Sequence, residues 1–216
     1  MRRGPTKGRY DRASIDGVLS RGLLAHVAFF DGSDPCCIPM LYAHLGERLY
    51  IHGSTASRAM RALGGGAAAC VTVTIVHGLV LARSAFEHSA NYEAVMAFGT
   101  FERVDDEAER LTAFEAFTEK LLPGRWAEVR GPNAQELKAT TILAMPIDEA
   151  SAKVRTGPPD DDDSPDAELE TWAGVVPILS SFGTPVSSPG LRAGIPLAPS
   201  VRELLARDSQ ESVAPE

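Results

Sequence analysis

Between residues 24 and 53 three runs rich in strand formers follow one another with only tight turns between them, a spacing that dictates an antiparallel meander. Leu24 to Phe30 is the first run, Asp31-Gly32-Ser33-Asp34-Pro35 is a turn by composition, and Cys36 to Ala43 is the returning strand of a hairpin. A second turn around Leu45-Gly46-Glu47 leads into Arg48 to Gly53, and a short amphipathic helix over Ile15 to Leu24 precedes the whole unit. Past Gly53 the period changes. Ala56, Met60 and Leu63 recur at helical spacing, Ser54 or Thr55 offers a capping oxygen, and Gly64-Gly65-Gly66 stops the element.

The rest of the chain continues in short strands. Ala67 to Ile75 is strongly β-prone at Val71-Thr72-Val73-Thr74, His77-Gly78 suits a turn, and Leu79 to Ala85 and Tyr92 to Val104 are further strands. Asp105-Asp106-Glu107 opens a helix to about Leu122, with Leu111, Phe114, Phe117 and Leu121 on its apolar face and Pro123-Gly124 as its stop. A short helix over Asn133 to Lys138 and strands over Thr140 to Ile147 and Ala152 to Thr156 close the folded part. Six or seven strands with one main helix inserted late predict a mainly β chain, a small antiparallel β-barrel with peripheral helices. The expected organisation is a flexible N-terminus over 1–9, one barrel domain over 10–178 and a partly disordered extension over 179–216. Within the domain, 158–166 is an acidic surface loop, because four consecutive aspartates cannot all converge on one metal ion.

A net charge of -8 argues against general nucleic-acid binding, which needs a concentrated basic face, but leaves room for one local anion pocket. No apolar signal core follows the basic N-terminus and no later apolar run is long enough to span a bilayer, so the expected place of work is the cytoplasm. The cysteines Cys36, Cys37 and Cys70 give neither an even disulfide framework nor a metal-type pair, and Cys36 and Cys37 point to opposite faces of one strand. No GxGxxG follows a strand and no P-loop exists, so a nucleotide-type cofactor needs another anchor.

Two segments carry chemistry. In His52-Gly53-Ser54-Thr55-Ala56-Ser57-Arg58 a strand ends in glycine, free amides follow at a helix start, and Ser54, Ser57 and Arg58 add hydroxyl and guanidinium donors: a phosphate-sized site, though a plain helix cap explains the same serines. In Leu79 to Tyr92 an apolar strand carries Arg83 and Ser84 and then opens into imidazole, hydroxyl and amide side chains, a pattern that packing alone does not explain. An outward-facing Arg83 is the simpler alternative.

These segments, together with His26-Val27-Ala28-Phe29, Ile38-Pro39-Met40, Leu49-Tyr50-Ile51-His52-Gly53-Ser54 and Ser151 to Gly157, come in an order that resembles the pyridoxamine 5'-phosphate oxidase-like superfamily. The resemblance covers roughly Arg9 to Ile178 and is nearest the flavin-nucleotide-binding, nitroimidazole-resistance (Nim-type) branch. It implies a split β-barrel that forms a homodimer with FMN in the groove between subunits. By the same resemblance Ser54, Ser57 and Arg58 hold the phosphate, and the backbone of Thr72, Val73 and Thr74 lines the flavin ring. Arg83 and Ser84 meet its pyrimidine end, and Lys153 and Trp172 reach the groove from elsewhere. It further implies an oxidoreductase that reduces a small organic acceptor, such as a nitro compound, with NADH or NADPH, for which His52 and Tyr92 are the candidate proton-transfer residues. A flavin-binding or storage protein without turnover, or a haem-binding relative of the same fold, are the alternatives. The sequence departs from the family pattern at His77, where aspartate is typical, and at Glu87 and Ala90, in place of histidine and methionine; these changes bear on the substrate pocket. No second phosphate cluster for pyridoxamine phosphate itself is found.

Overall fold

The computed structural model describes residues 8–211. In chain order the elements are β1 (Gly8–Arg9), α1 (Arg12–Arg21), β2 (Leu24–Phe30), β3 (Pro35–Leu45), β4 (Arg48–Ser54), α2 (Arg58–Gly64), β5 (Ala68–Leu81) and β6 (Ser89–Thr100). They continue with β7 (Glu102–Arg103), α3 (Glu107–Leu121), α4 (Ala134–Ala139), β8 (Thr140–Pro146), β9 (Glu149–Arg155), β10 (Gly174–Pro177) and α5 (Pro199–Glu211). Most of the N-terminus expected to be flexible lies outside the described residues; Gly8 and Arg9 pair with β9.

Every strand pairing is antiparallel, in the order β1-β9-β6-β5-β2-β3-β4-β8-β7, with β10 added to β5. The long strand β3 makes the split. Its first part, Pro35 to Leu41, pairs with β2, and its last part, Tyr42 to Leu45, pairs with β4. Two sheets therefore share one strand, and the end strands β1 and β7 do not meet, so the barrel stays open.

The interior holds Val27, Leu49, Ile51, Val71, Val73, Val95, Leu143 and Met145. Ile15, Val18 and Leu19 of α1 and Met60 and Leu63 of α2 join that core. A smaller cluster lies on the other side of β4 and β8, where Tyr50, Ile142 and Ala144 meet Ala113 and Phe117 of α3. The buried stripe of α3 centres on that i, i+4 pair, so Leu111 and Leu121, expected on its apolar face, remain exposed.

One expectation is corrected. His77-Gly78 is no turn: β5 runs through it with a register shift against β6 between Val76 and Gly78. The glycine serves another purpose there, since a Cβ at Gly78 would stand 3.0 Å from the Val176 carbonyl oxygen of β10, which lies against it. The extension beyond residue 179 carries α5, whose first turn is tied down by Glu128 accepting from the Ser200 amide (2.9 Å) and hydroxyl. Among the described residues no helix is long and apolar enough to cross a membrane.

The end of α1 docks through a polar contact. The buried Tyr42 hydroxyl donates to the Leu19 carbonyl at 2.6 Å and lies 2.9 Å from that of Gly22, while Lys120 Nζ donates to Leu19 at 2.8 Å and sits 4.2 Å from the centre of the Tyr42 ring. Desolvation pulls the Lys120 pKa down to about 8, below its unfolded value of 10.5. Between those values the unfolded chain holds the extra proton, so stability rises with pH across pH 8 to 10. The urea midpoint is expected to climb over that window in the native chain and to stay flat in Lys120→Met; parallel curves for the two would remove Lys120 as the cause.

Candidate functional site

One face of β2, β5, β6 and β9 covers the core and the other is bare. Register aligns the bare face in rows: His26, Thr72, Met96 and Ser151 form one, Ala28, Cys70, Phe98 and Glu149 the next, and Thr74, Ala94 and Lys153 a third. Leu24, Phe30, Val76, Met96 and Phe98 on this face are each at least 41% exposed. An antiparallel sheet tolerates one solvated face when that face is polar. Here large apolar side chains stand exposed among the polar ones, the signature of a surface that something covers. Cys37 shares this face and Cys36 packs on the core, as their adjacency predicts.

Beside this face β5 has a gap in its pairing. One edge of the strand is held along its length by β6. The other edge is paired with β2 as far as Thr72 and with β10 from Gly78 onward. Between them Val73 to Val76 has no strand partner on that edge among the described residues, which leaves backbone donors and acceptors for something else. Thr72 and Thr74 point onto the bare face, while the Val73 side chain is fully buried, so that residue can offer only its backbone. Tyr92 and Lys153 stand on the same face, with the ammonium 5.4 Å from the ring centre.

The phosphate-like segment sits at the other end of the barrel mouth. Ser57 caps α2 by accepting from the Met60 amide, Ser54 Oγ accepts from the Ala56 amide at 3.2 Å, and Ser54 is exposed. Arg58 extends over the β2–β3 turn, where its Nε lies 3.1 Å from Asp31 Oδ2 while the side chain stays 71% exposed. Asp31 is the residue sequence reasoning missed. Its other oxygen accepts from the Ser33 and Asp34 amides and the Ser33 hydroxyl, and those bonds, with Arg58 adding least, hold its pKa down to about 2. Oδ2 is buried and accepts no hydrogen bond of good geometry, so the charge of Arg58 is its compensation. The contact takes the Nε side of the guanidinium and leaves the two Nη groups for an anion. Extending the β2–β5 register puts Asp31 level with Ala67, five residues along the sheet from Thr72. At the rise of a strand that is roughly 17 Å.

The sequence profile described as pyridoxamine 5'-phosphate oxidase matches residues 11–154, two thirds of the chain. The chain belongs to the pyridoxamine 5'-phosphate oxidase family. Among solved structures, the FAD and haem binding protein from Mycobacterium smegmatis is 42% identical, with a TM-score of 0.87 over 92% of this chain and 97% of that one. A flavocytochrome from Azotobacter vinelandii is 35% identical, with a TM-score of 0.87 over 94% of each chain. A protein ascribed to 5-nitroimidazole antibiotic resistance in Bacteroides thetaiotaomicron shares the fold at 18% identity and a TM-score of 0.57, over 68% of this chain and 86% of that one. No curated protein matches in sequence.

Within this family member the remaining candidates fall in three other places. His52 lies on the α3 side of β4, away from the bare face, with its ring 4.5 Å from that of Phe117, and burial pulls its pKa down so that it stays neutral. Arg83 is held by the loop expected to be merely solvated: Asp161, its side chain fully buried, accepts from the Arg83 amide at 2.6 Å and from its guanidinium at 2.9 Å, and Asp162 accepts at 2.9 Å. Asp162 first, then Asp161, raise the Arg83 pKa, and this guanidinium is neutralised in place. The neighbouring Ser84 offers its carbonyl to His88 Nδ1 at 2.7 Å. Trp172 is exposed at the Leu81 end of β10, packed over Gly174. The structure thus groups Thr72, Thr74, Tyr92 and Lys153 on one face and Ser54, Ser57 and Arg58 at its end, and sets His52, Arg83, Ser84 and Trp172 apart from them.

Proposed function

We propose that this protein is a flavoprotein whose flavin lies between two copies of the chain and serves electron transfer to a small acceptor in the cytoplasm. The observation that carries the reading is the coincidence of a bare sheet face, with large apolar side chains exposed on it, and an edge of β5 at Val73 to Val76 that no strand pairs among the described residues. A flavin ring asks for an apolar wall and a row of backbone donors and acceptors beside it. A second copy against the same face supplies the far wall, since one open barrel has too little concavity to bury a ring.

The chemistry supplied by a bound flavin is two-electron exchange with NADH or NADPH and delivery to a small organic acceptor. The residues do the rest. The free Nη groups of Arg58 and the hydroxyls of Ser54 and Ser57 hold the phosphate end, and Asp31 keeps the guanidinium aimed. Lys153 takes the role expected of Arg83, placing by the ring a cation that no carboxylate pairs among the described residues. Tyr92, next to it, holds a hydroxyl in reach of that end. With His52 turned toward α3, Tyr92 is the better proton donor of the two.

The name of the Mycobacterium smegmatis relative favours FAD over the expected FMN, and that name together with the flavocytochrome's makes a haem beside the flavin the second reading. One spectrum of the purified protein, with the released flavin identified by chromatography, tests both: a yellow protein bleached by NADH or NADPH without oxygen supports the oxidoreductase. Yellow protein that is not bleached is a storage protein, a Soret band brings in haem, and a colourless protein that takes up neither cofactor overturns the proposal. Arg58→Ala is expected to weaken flavin about 10- to 100-fold, the worth of a charge-assisted contact of roughly 1.5–3 kcal/mol. Asp31→Asn should weaken it several-fold by freeing the same side chain. Fluorescence titration of the flavin-free protein reads both, and unchanged affinity in the pair would move the anchor elsewhere.

A further inference from the structure

A second polar opening lies between α2 and the β7–β8 ladder, apart from Ser54, Ser57, Arg58 and the bare face. It is a cleft of about 240 Å³ with Thr55, Arg61, Arg103 and Thr141 among its lining, over a floor of Met60 and Leu143. Register explains the grouping: Arg103 pairs with Leu143 and Thr141 with Gly53, so these side chains leave β7 and β8 on one side and meet α2, which packs against Gly53 through Met60.

Thr141 is only 7% exposed, and among the described residues its hydroxyl makes no hydrogen bond. The hydroxyl reaches solvent at the cleft with its hydrogen-bonding capacity unspent, so it is open to a group that enters the cleft. Two cations face the same space. Arg61 spends one Nη on the Ala56 carbonyl at 2.7 Å, and Arg103 spends its Nε on Asp105 at 2.8 Å. Each guanidinium is thereby held by one contact and keeps its other N–H groups unspent. No carboxylate lines the cleft. Two arginines and two hydroxyls over an apolar floor are the donor set of a phosphate site.

The geometry points to a second anion site that binds a phosphate group, either inorganic phosphate or the phosphate of a small monoester, independently of the flavin. The volume is below that of a drug-sized pocket and excludes a dinucleotide. This inference goes beyond the flavin reading and does not rest on it.

The test is a titration of the protein as purified with inorganic phosphate, at an ionic strength kept constant with chloride, read by melting temperature and calorimetry. A saturable rise in melting temperature is expected, with bound flavin retained. Thr141→Val keeps the shape and removes the hydroxyl: it should fold about as stably without phosphate and bind phosphate about 5- to 10-fold more weakly. Arg61→Ala and Arg103→Ala should each weaken phosphate about tenfold or more. Adding a phosphomonoester such as glycerol phosphate separates the two sources by which binds more tightly. The inference is overturned by an absent or non-saturable response, by an unchanged response in Thr141→Val, or by release of flavin as phosphate binds, which would make the cleft part of the flavin anchor. A colourless protein that still answers to phosphate would sink the flavin reading and leave this one standing.

Discussion

Met96→Asp is expected to turn the proposed dimeric flavoprotein into a folded, colourless monomer. Met96 stands in the row of His26, Thr72 and Ser151 at the middle of the bare face and is 43% exposed in the single chain, so a carboxylate there costs the isolated barrel little. Covered by a second copy, the same carboxylate is an unpaired buried charge, a loss of roughly 3–5 kcal/mol. Two-fold symmetry counts it twice, which raises the dissociation constant by a thousandfold or more on the scale of about 1.4 kcal/mol per factor of ten. The flavin goes with the dimer, since the second wall of its groove is gone. Light scattering after gel filtration, the flavin absorbance and a melting curve read the three parts separately. Val129→Asp is the control, an apolar residue of similar exposure (40%) away from this face. A Met96→Asp protein that stays dimeric and yellow places the interface elsewhere.

The local signals in the sequence were enough for the elements and not for their partners. The meander from Leu24 to Ser54 is legible because period-two runs and turn residues are local properties, and the structure has these strands within a residue or two. His77-Gly78 misled for a physical reason. Glycine at a turn and glycine that lets a neighbouring backbone approach look identical in sequence, and β10 is nearly a hundred residues away. The same distance hides Asp161. In a run of four aspartates nothing marks the one that is buried, because its burial depends on Arg83, 78 residues earlier. The candidate site divides along this line. Thr72, Thr74, Tyr92 and Lys153 come together because strand register brings them there, and the resemblance carried that register implicitly. Asp31 was read only as a turn residue, which it is; its second role needed Arg58 to fold over it.

Gly22→Ala is expected to cost more stability than any other single methyl in the barrel, although the backbone there is ordinary. Gly22 has φ -65° and ψ 136°, angles open to any residue, so conformational freedom is not why glycine stands at this position. Space is. A Cβ on Gly22 would lie 2.2 Å from Val73 Cγ1 and 3.0 Å from the Tyr42 hydroxyl. Val73 cannot turn aside: it is β-branched, fully buried, and its backbone is in ladder with Val95. The movable partner is the end of α1. Lifting it stretches the Tyr42 contacts to Leu19 and Gly22 and the Lys120 bond to Leu19. Overpacking of about 1–3 kcal/mol and a weakened buried hydrogen bond of about 1 kcal/mol sum to roughly 2–4 kcal/mol. At about 2–4 °C per kcal/mol for a chain of this size, the melting temperature should fall by roughly 4–16 °C. Val73→Ala in the same chain should recover part of the loss, because the new methyl fills the space the valine leaves, and the two changes together should cost clearly less than their sum. A melting temperature within a degree or so of the native protein, or strict additivity in the double variant, would mean that α1 does not press on β5 here. The stretch proposed to line the flavin ring would then lose the support that fixes Val73 from behind and turns Thr72 and Thr74 toward the open face.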